Sequence, residues 1–207
     1  MKSVHWMMTA AAMAFTAFAA QAADLSYTFD ADAQGFTINE PAGELTHVAP
    51  GYLRIKDLTD ATNVQLILPA AAMGDWSAYN GGTLSFDARL ESPIGSYWPE
   101  FGAVTLTSSQ GAATLDVVPD GQPGLDWKTY TVKLDAATWS KDAGSFAAIL
   151  SNQQRVEINM EAGNGAIETI HVDNVKVTSA VPEPSTWALS LMGVGVLGAA
   201  LRRKSKA

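Results

Sequence analysis

The sequence predicts an all-β domain, a sandwich or barrel of antiparallel strands with one wet face per sheet. Turn-forming residues recur every eight to twelve positions through the middle of the 207-residue chain. The runs between them alternate apolar and polar residues with a period of two, the signature of half-buried strands. Only Ser145 to Leu150 has the look of a short helical turn.

Taken in order, residues 1–22 read as a secretory signal peptide. Lys2, with His5, supplies a positive start, Met7 to Ala20 a small-apolar run, and Ala20-Gln21-Ala22 an A-x-A cleavage site. Residues 23–180 form the predicted sandwich. Its turns fall at Gly35, Pro41-Ala42-Gly43, Pro50-Gly51, Asn80-Gly81-Gly82, Pro93-Ile94-Gly95, Asp120-Gly121, Gly144 and Gly163-Asn164-Gly165. Thr83 to Leu90 puts Leu84, Phe86, Ala88 and Leu90 on one face. Tyr130 to Leu134 and Val156 to Met160 alternate in the same way. Ile170 to Val177 does too, with a break at Asp173-Asn174.

The chain ends in three parts over residues 181–207. Val181-Pro182-Glu183-Pro184-Ser185-Thr186 is a stiff extended stretch, because proline fixes its own φ and restricts its predecessor. Trp187 to Leu201 is uncharged and predicts a single hydrophobic helix. Arg202-Arg203-Lys204-Ser205-Lys206 closes as a basic stop, with the positive end cytoplasmic. At about 1.5 Å per residue the apolar run reaches roughly 22 Å, short of a ~30 Å hydrocarbon core. A transient membrane helix suits that length, and an ordinary single-span anchor is the other reading.

Charge and composition exclude several functions. Residues 23–180 carry eight basic residues and 20 of the 21 acids, a charge of -12. Such a surface repels phosphate backbones and argues against nucleic-acid binding. With no cysteine, disulfides, thiolate metal sites and a cysteine nucleophile are absent together.

The tail resembles the PEP-CTERM sorting signal, through Val181, Pro182, Glu183 and Pro184, the apolar run, and the Arg202-Arg203-Lys204 cluster. The resemblance implies processing by an exosortase in the inner membrane of a Gram-negative bacterium. It also implies a mature protein at the cell surface or in the extracellular matrix, among exopolysaccharide. The middle block resembles the laminin B domain (laminin domain IV). The match lies in Gly74-Asp75 through Tyr79-Asn80-Gly81-Gly82 to Arg89, in Trp127 to Leu134 with Trp139, and in Leu150-Ser151-Asn152 to His171-Val172-Asp173-Asn174-Val175. Phe29-Asp30 and the closing Asp173-Asn174-Val175 are also similar to galactose-binding-like folds. These resemblances imply a jelly roll of two antiparallel sheets.

No catalytic constellation is visible. His5, His47 and His171 form no spaced metal or nucleophile-activating pair, and no G-x-S-x-G or phosphate-binding loop occurs. His171 should point away from the face of Ile170 and Val172. The resemblance to galactose-binding-like sandwiches implies a structural calcium held by Asp30 or Asp32 and by Asp173. Asx turns and a bulge are the competing use of those carboxylates. For ligand contact, aromatic faces stack on sugar rings. Tyr97 and Trp98, following the Pro93-Ile94-Gly95 turn, are the leading candidates. Trp76 and Tyr79 come next, with packing at the start of a strand as their alternative role. Trp127 and Trp139 match blocks expected in the core. The expected function is non-catalytic binding of exopolysaccharide or another matrix component. A calcium-supported carbohydrate-binding module with a defined sugar, and a two-carboxylate glycan hydrolase, are the alternatives.

Overall fold

A computed structural model describes residues 23–180 except 40, 60–61, 117–121 and 166. The expected signal peptide at 1–22 and the sorting tail at 181–207, with its expected helix, lie outside the described residues. Among the described residues no helix is long and apolar enough to cross a membrane.

Eleven strands, one α-helix and two short 3-10 turns make up the regular structure of the described residues. One sheet, called sheet A, is built of β3 (Gly43–Val48), β4 (Tyr52–Asp57), β11 (Thr169–Thr178), β6 (Thr83–Leu90) and β9 (Lys128–Lys133), in that order. Its sixth strand, β1 (Leu25–Tyr27), pairs with the C-terminal half of β11 where β4 has left it. Sheet B runs β2 (Thr37–Ile38), β5 (Gln65–Ile67), β10 (Gln153–Asn159), β7 (Val104–Ser108) and β8 (Gly111–Leu115). Every pairing is antiparallel. The expected sandwich of two antiparallel sheets is formed.

Alternation fixes which side of each sheet is dry. In β6, Leu84, Phe86, Ala88 and Leu90 are buried and their neighbours are half-buried. Across the ladder Phe86 faces Tyr130 and Leu84 faces Val132, and the Phe86 and Tyr130 rings stack at 5.2 Å. In sheet B, Val104 and Leu106 of β7 and Val156 and Ile158 of β10 face inward. One continuous core joins the two sets. At about 25 cal/mol per Å² of apolar surface removed from water, this burial is the main driving force for folding without disulfides.

Two local features follow from particular residues. Gly82 precedes β6 at a point where any Cβ would collide with the Thr178 carbonyl oxygen, so the Asn80-Gly81-Gly82 turn needs glycine there. The break expected at Asp173-Asn174 is a register shift of β11 against β6 between Asp173 and Lys176. Asn174 sits there at φ 51°, a left-handed conformation that asparagine tolerates. The helix α1 (Ala143–Leu150) starts where Asp142 Oδ1 accepts the Ser145 N–H at 2.9 Å. It buries Phe146, Ile149 and Leu150 in the core.

Candidate functional site

The outward face of sheet A carries an aromatic and charged cluster. Its position follows from strand parity. Leu53 and Ile55 of β4 point inward, so Tyr52 and Arg54 point out. Ala88 and Leu90 point inward, so Arg89 points out, and Val172 inward sends His171 out. Arg54, His171 and Arg89 then lie side by side across three strands. Trp127, just before β9, follows the outward parity and lies beside Arg89.

The Arg89 guanidinium lies 5.0 Å from the Trp127 ring centroid and 6.0 Å from that of Tyr52. Tyr52 and Trp127 meet edge to face at 6.0 Å. The His171 imidazole packs 4.6 Å from the Tyr52 ring. Glu91, immediately after β6, ties the group together. Arg54 donates to it twice, Nε to Oε2 at 2.6 Å and Nη2 to Oε1 at 3.2 Å. His171 Nε2 bonds Oε2 at 3.0 Å.

These contacts set the charge states. The Arg54 bonds, and after them the His171 bond, hold the Glu91 carboxyl at a pKa of about 2. Burial pushes the His171 pKa below its ordinary value, and Glu91 only partly offsets this. His171 is therefore neutral at pH 7, with its Nε2 proton directed at Glu91. Its Nδ1 is a buried acceptor without a partner, and Arg89 Nε is a buried donor without one. Beside this group, Asp87 accepts from Thr129 Oγ1 at 2.6 Å and from Asn174 Nδ2 at 2.9 Å. Trp127 is 41% exposed. A ring that open, backed by a planar cation and bordered by fixed charged groups, can stack on a flat apolar surface while its neighbours bond hydroxyls.

The residues expected to form the site are distributed differently. Trp76 is 1% exposed, with its indole N–H given to the Ala72 carbonyl at 2.7 Å. Tyr79 is 6% exposed and donates its hydroxyl to the Ala23 carbonyl at 2.7 Å. Both belong to the core, with Trp76 capping and Tyr79 ending the short 3-10 turn at Ser77–Tyr79. Tyr97 is 46% exposed, whereas Trp98 is half-buried. Their loop is pinned by the Tyr97–Gly163 bridge and by the Trp98 N–H to the Ala162 carbonyl at 2.8 Å. Among the described residues no ring contact joins Tyr97 or Trp98 to Tyr52 or Trp127. Trp139 is core as expected, but Trp127 is not.

The carboxylates expected to hold calcium each accept local hydrogen bonds. Asp30 Oδ2 accepts from Thr28 Oγ1 at 2.7 Å, and Asp32 Oδ1 caps the Gln34 N–H at 2.7 Å. Asp173 Oδ1 accepts the Asn174 N–H at 2.6 Å. Burial raises the Asp173 carboxyl, and the charges of Asp87 and Asp30 raise it further. Local turns and the bulge thus engage one oxygen of each of these carboxylates, and the charge of Asp30 reaches Asp173. Among the described residues one acid group does converge to within 4.8 Å, namely Asp57, Glu161 and Glu168.

Tyr52, Arg54, Arg89 and Glu91 carry no motif in the sequence that marks them as a site, and Trp127 lies on the surface rather than in the expected core. A parity signal existed for Trp127. Tyr130 and Val132 point inward, so a residue three before Tyr130 points out.

Comparisons with known proteins agree with this architecture. Residues 180–204 match the PEP-CTERM protein-sorting motif. No curated protein matches the chain. Among solved structures, the L4b domain of human laminin alpha-2 is similar at 13% identity and a TM-score of 0.58, over 77% of this chain and 98% of that domain. The CBM22-1 xylan-binding domain from Paenibacillus barcinonensis Xyn10C is similar at 13% identity and a TM-score of 0.50, over 79% and 100%. An exo-beta-agarase is similar at 12% identity and a TM-score of 0.53 over 75% of this chain, which spans about a quarter (25%) of that enzyme. The chain is thus an exported protein with a PEP-CTERM sorting motif behind a β-sandwich similar in fold to laminin L4b.

Proposed function

We propose that this is a non-catalytic polysaccharide-binding protein of the cell envelope or biofilm matrix, released to its destination by exosortase processing of its tail. The observation that carries the binding is the open Trp127 ring on the outward face of sheet A. It is backed by Arg89 and flanked by Tyr52 and the Glu91–Arg54 pair. A rigid strand platform presents these groups at fixed spacing, so little conformational freedom is lost when a glycan docks. The fold neighbours named for xylan binding and agarase activity support a carbohydrate ligand.

Binding without catalysis fits the charge states. Glycoside cleavage needs a carboxylic acid that holds its proton near neutral pH. Glu91 does the opposite, since its pKa of about 2 keeps it ionised. It is suited to accepting hydrogen bonds from sugar hydroxyls.

Affinity electrophoresis of the full-length protein in gels containing the host exopolysaccharide, xylan or agar tests the reading. Retardation by at least one polysaccharide is expected, and Trp127→Ala should abolish most of it. Retardation unchanged in that variant would move the site away from sheet A. Capture of a matrix protein with no glycan retardation would replace polysaccharide by a protein partner. The sorting half of the reading is checked by the mass of the protein from native cells. Loss of the residues after about Val181 is expected, and an intact chain in the inner membrane would count against it.

A further inference from the structure

Asp57, Glu161 and Glu168 sit apart from the sheet-A cluster in the fold and have no part in the binding just described. Asp57 ends β4, Glu161 follows β10, and Glu168 precedes β11. Three separate segments therefore deliver one acid each to the same place. Each residue is at most 4% exposed, and one carboxylate oxygen from each lies within 4.8 Å of the others.

The surrounding backbone is rigidly tied. The Asp57 N–H bonds the Glu168 carbonyl at 2.9 Å, and the Met160 N–H bonds the Val64 carbonyl at 2.7 Å. Glu168 Oε1 accepts two N–H groups, from Ala162 at 2.7 Å and Gly163 at 2.9 Å. Its other oxygen, Oε2, is buried and has no hydrogen-bond partner. Among the described residues no basic side chain forms an ion pair with Glu168. A buried carboxylate oxygen without a protein donor calls for a proton, a cation or an ordered water, and three acids converging on one point favour the cation. Burial raises the Glu168 carboxyl, the two backbone N–H groups offset part of this, and the charge of Asp57 raises it further.

We propose that Asp57, Glu161 and Glu168 form a calcium site, with Glu168 Oε2 as a ligand. Calcium binds oxygen at roughly 2.3–2.6 Å, so oxygens on opposite sides of one ion lie at most about 5 Å apart. The 4.8 Å limit of the cluster meets that requirement. Magnesium gives up its waters reluctantly and suits a buried all-protein pocket less well. The ion would join the end of β4, in sheet A, to the segment leaving β10, in sheet B. It would also fix the loop carrying Trp98 through the Ala162 carbonyl.

The test is calcium titration calorimetry on EDTA-stripped full-length protein, with thermal melts in parallel. One calcium per chain is expected. At calcium a hundred-fold above Kd, the midpoint should rise by about 5–10 °C. Glu168→Gln keeps the shape and the backbone acceptor, and it should lose both the heat and the shift. Glu161→Gln serves the same purpose should the first variant not melt cooperatively in EDTA. The double variant Asp30→Asn, Asp173→Asn should keep both. The absence of heat and shift in the wild type would overturn the proposal and leave the triad sharing a proton. So would a shift that survives Glu168→Gln and Glu161→Gln but vanishes in the Asp30/Asp173 variant. Preference for magnesium over calcium would overturn the choice of ion.

Discussion

The outward faces of the two sheets are built from different materials. Sheet A presents Tyr52, Arg54, His171, Arg89 and Trp127 across its central strands. Sheet B presents Thr105, Thr107, Ala112 and Thr114 on β7 and β8, with Arg155 and Glu157 pairing with each other on β10. Thr105 and Thr114 bond each other across the ladder at 3.0 Å, so even their hydroxyls are directed within the sheet. Both faces have the same pleat and the same period. The difference is that sheet A invests large rings and a locked ion pair where water could simply have wetted threonines. The ion pair adds little stability, because exposed ion pairs contribute about 0–1 kcal/mol. The polysaccharide binding proposed above accounts for that investment.

The largest expected effect lies between the faces. Trp76→Ala empties a fully buried site and should cost about 3–5 kcal/mol. Denaturant unfolding should show this as a lower midpoint, with glycan binding lost only as the fold is lost. A variant that melts like the wild type but binds poorly would place Trp76 on a ligand face and break the comparison.

Trp127→Ala is the next in size and should do the reverse. Removal of an exposed stacking ring should weaken polysaccharide binding roughly 10- to 100-fold, about 1.4–2.7 kcal/mol. The melting midpoint should stay within a degree or two. Thr114→Ala, on the opposite sheet, should change neither quantity. Equal losses from both variants would remove the functional distinction between the faces.

Much of the fold was legible in the sequence, because a half-buried strand writes its period directly into the chain. Thr83 to Leu90 coincides with β6, and even the irregularity at Asp173-Asn174 appears as a shift in register. Edge strand β8 was less legible. Gly111-Ala112-Ala113-Thr114-Leu115 lacks large inward residues, since only Ala113 is buried. The binding face was the least legible. Its residues are separated by up to about 120 positions and become neighbours only through ladder register, which sequence does not reveal. Exposed turn position drew attention to Tyr97 and Trp98, while Tyr52 lies in a strand whose inward partners disguise it.

His171 offers a smaller and more selective test. Its folded pKa is depressed by burial, so the unfolded chain takes up its proton first as pH falls. The stability this neutral imidazole contributes is fully present above about pH 6.5 and is lost as pH drops toward its folded pKa. NMR titration should place the His171 transition below that of a free histidine. His171→Gln should flatten the decline in stability on this limb. A transition at or above about 6.5 would mean that the Glu91 bond outweighs burial, and the face would then carry an extra positive charge near neutrality.

Glu91 gives the smallest expected effect and the one most specific to the sheet-A face. Its folded pKa, about 2, lies below the ordinary 4.5, so its contribution is present above about pH 4.5 and is lost as pH falls through 2. The Glu91 side chain is 43% exposed and Arg54 34%, so solvent screening limits the stability at stake to about 1 kcal/mol or less. Glu91→Gln should therefore leave the midpoint at pH 7 nearly unchanged and make the acid limb between pH 4.5 and 2 shallower. Its effect on binding should be greater than its effect on stability, because the amide frees Arg54 and His171 to reorient. The corresponding change on sheet B, Glu157→Gln, breaks a single-contact ion pair to Arg155, at 2.9 Å. If it reduced glycan affinity as much as Glu91→Gln, the ion pair of sheet A would be ordinary surface chemistry, and recognition would rest on the aromatic rings alone.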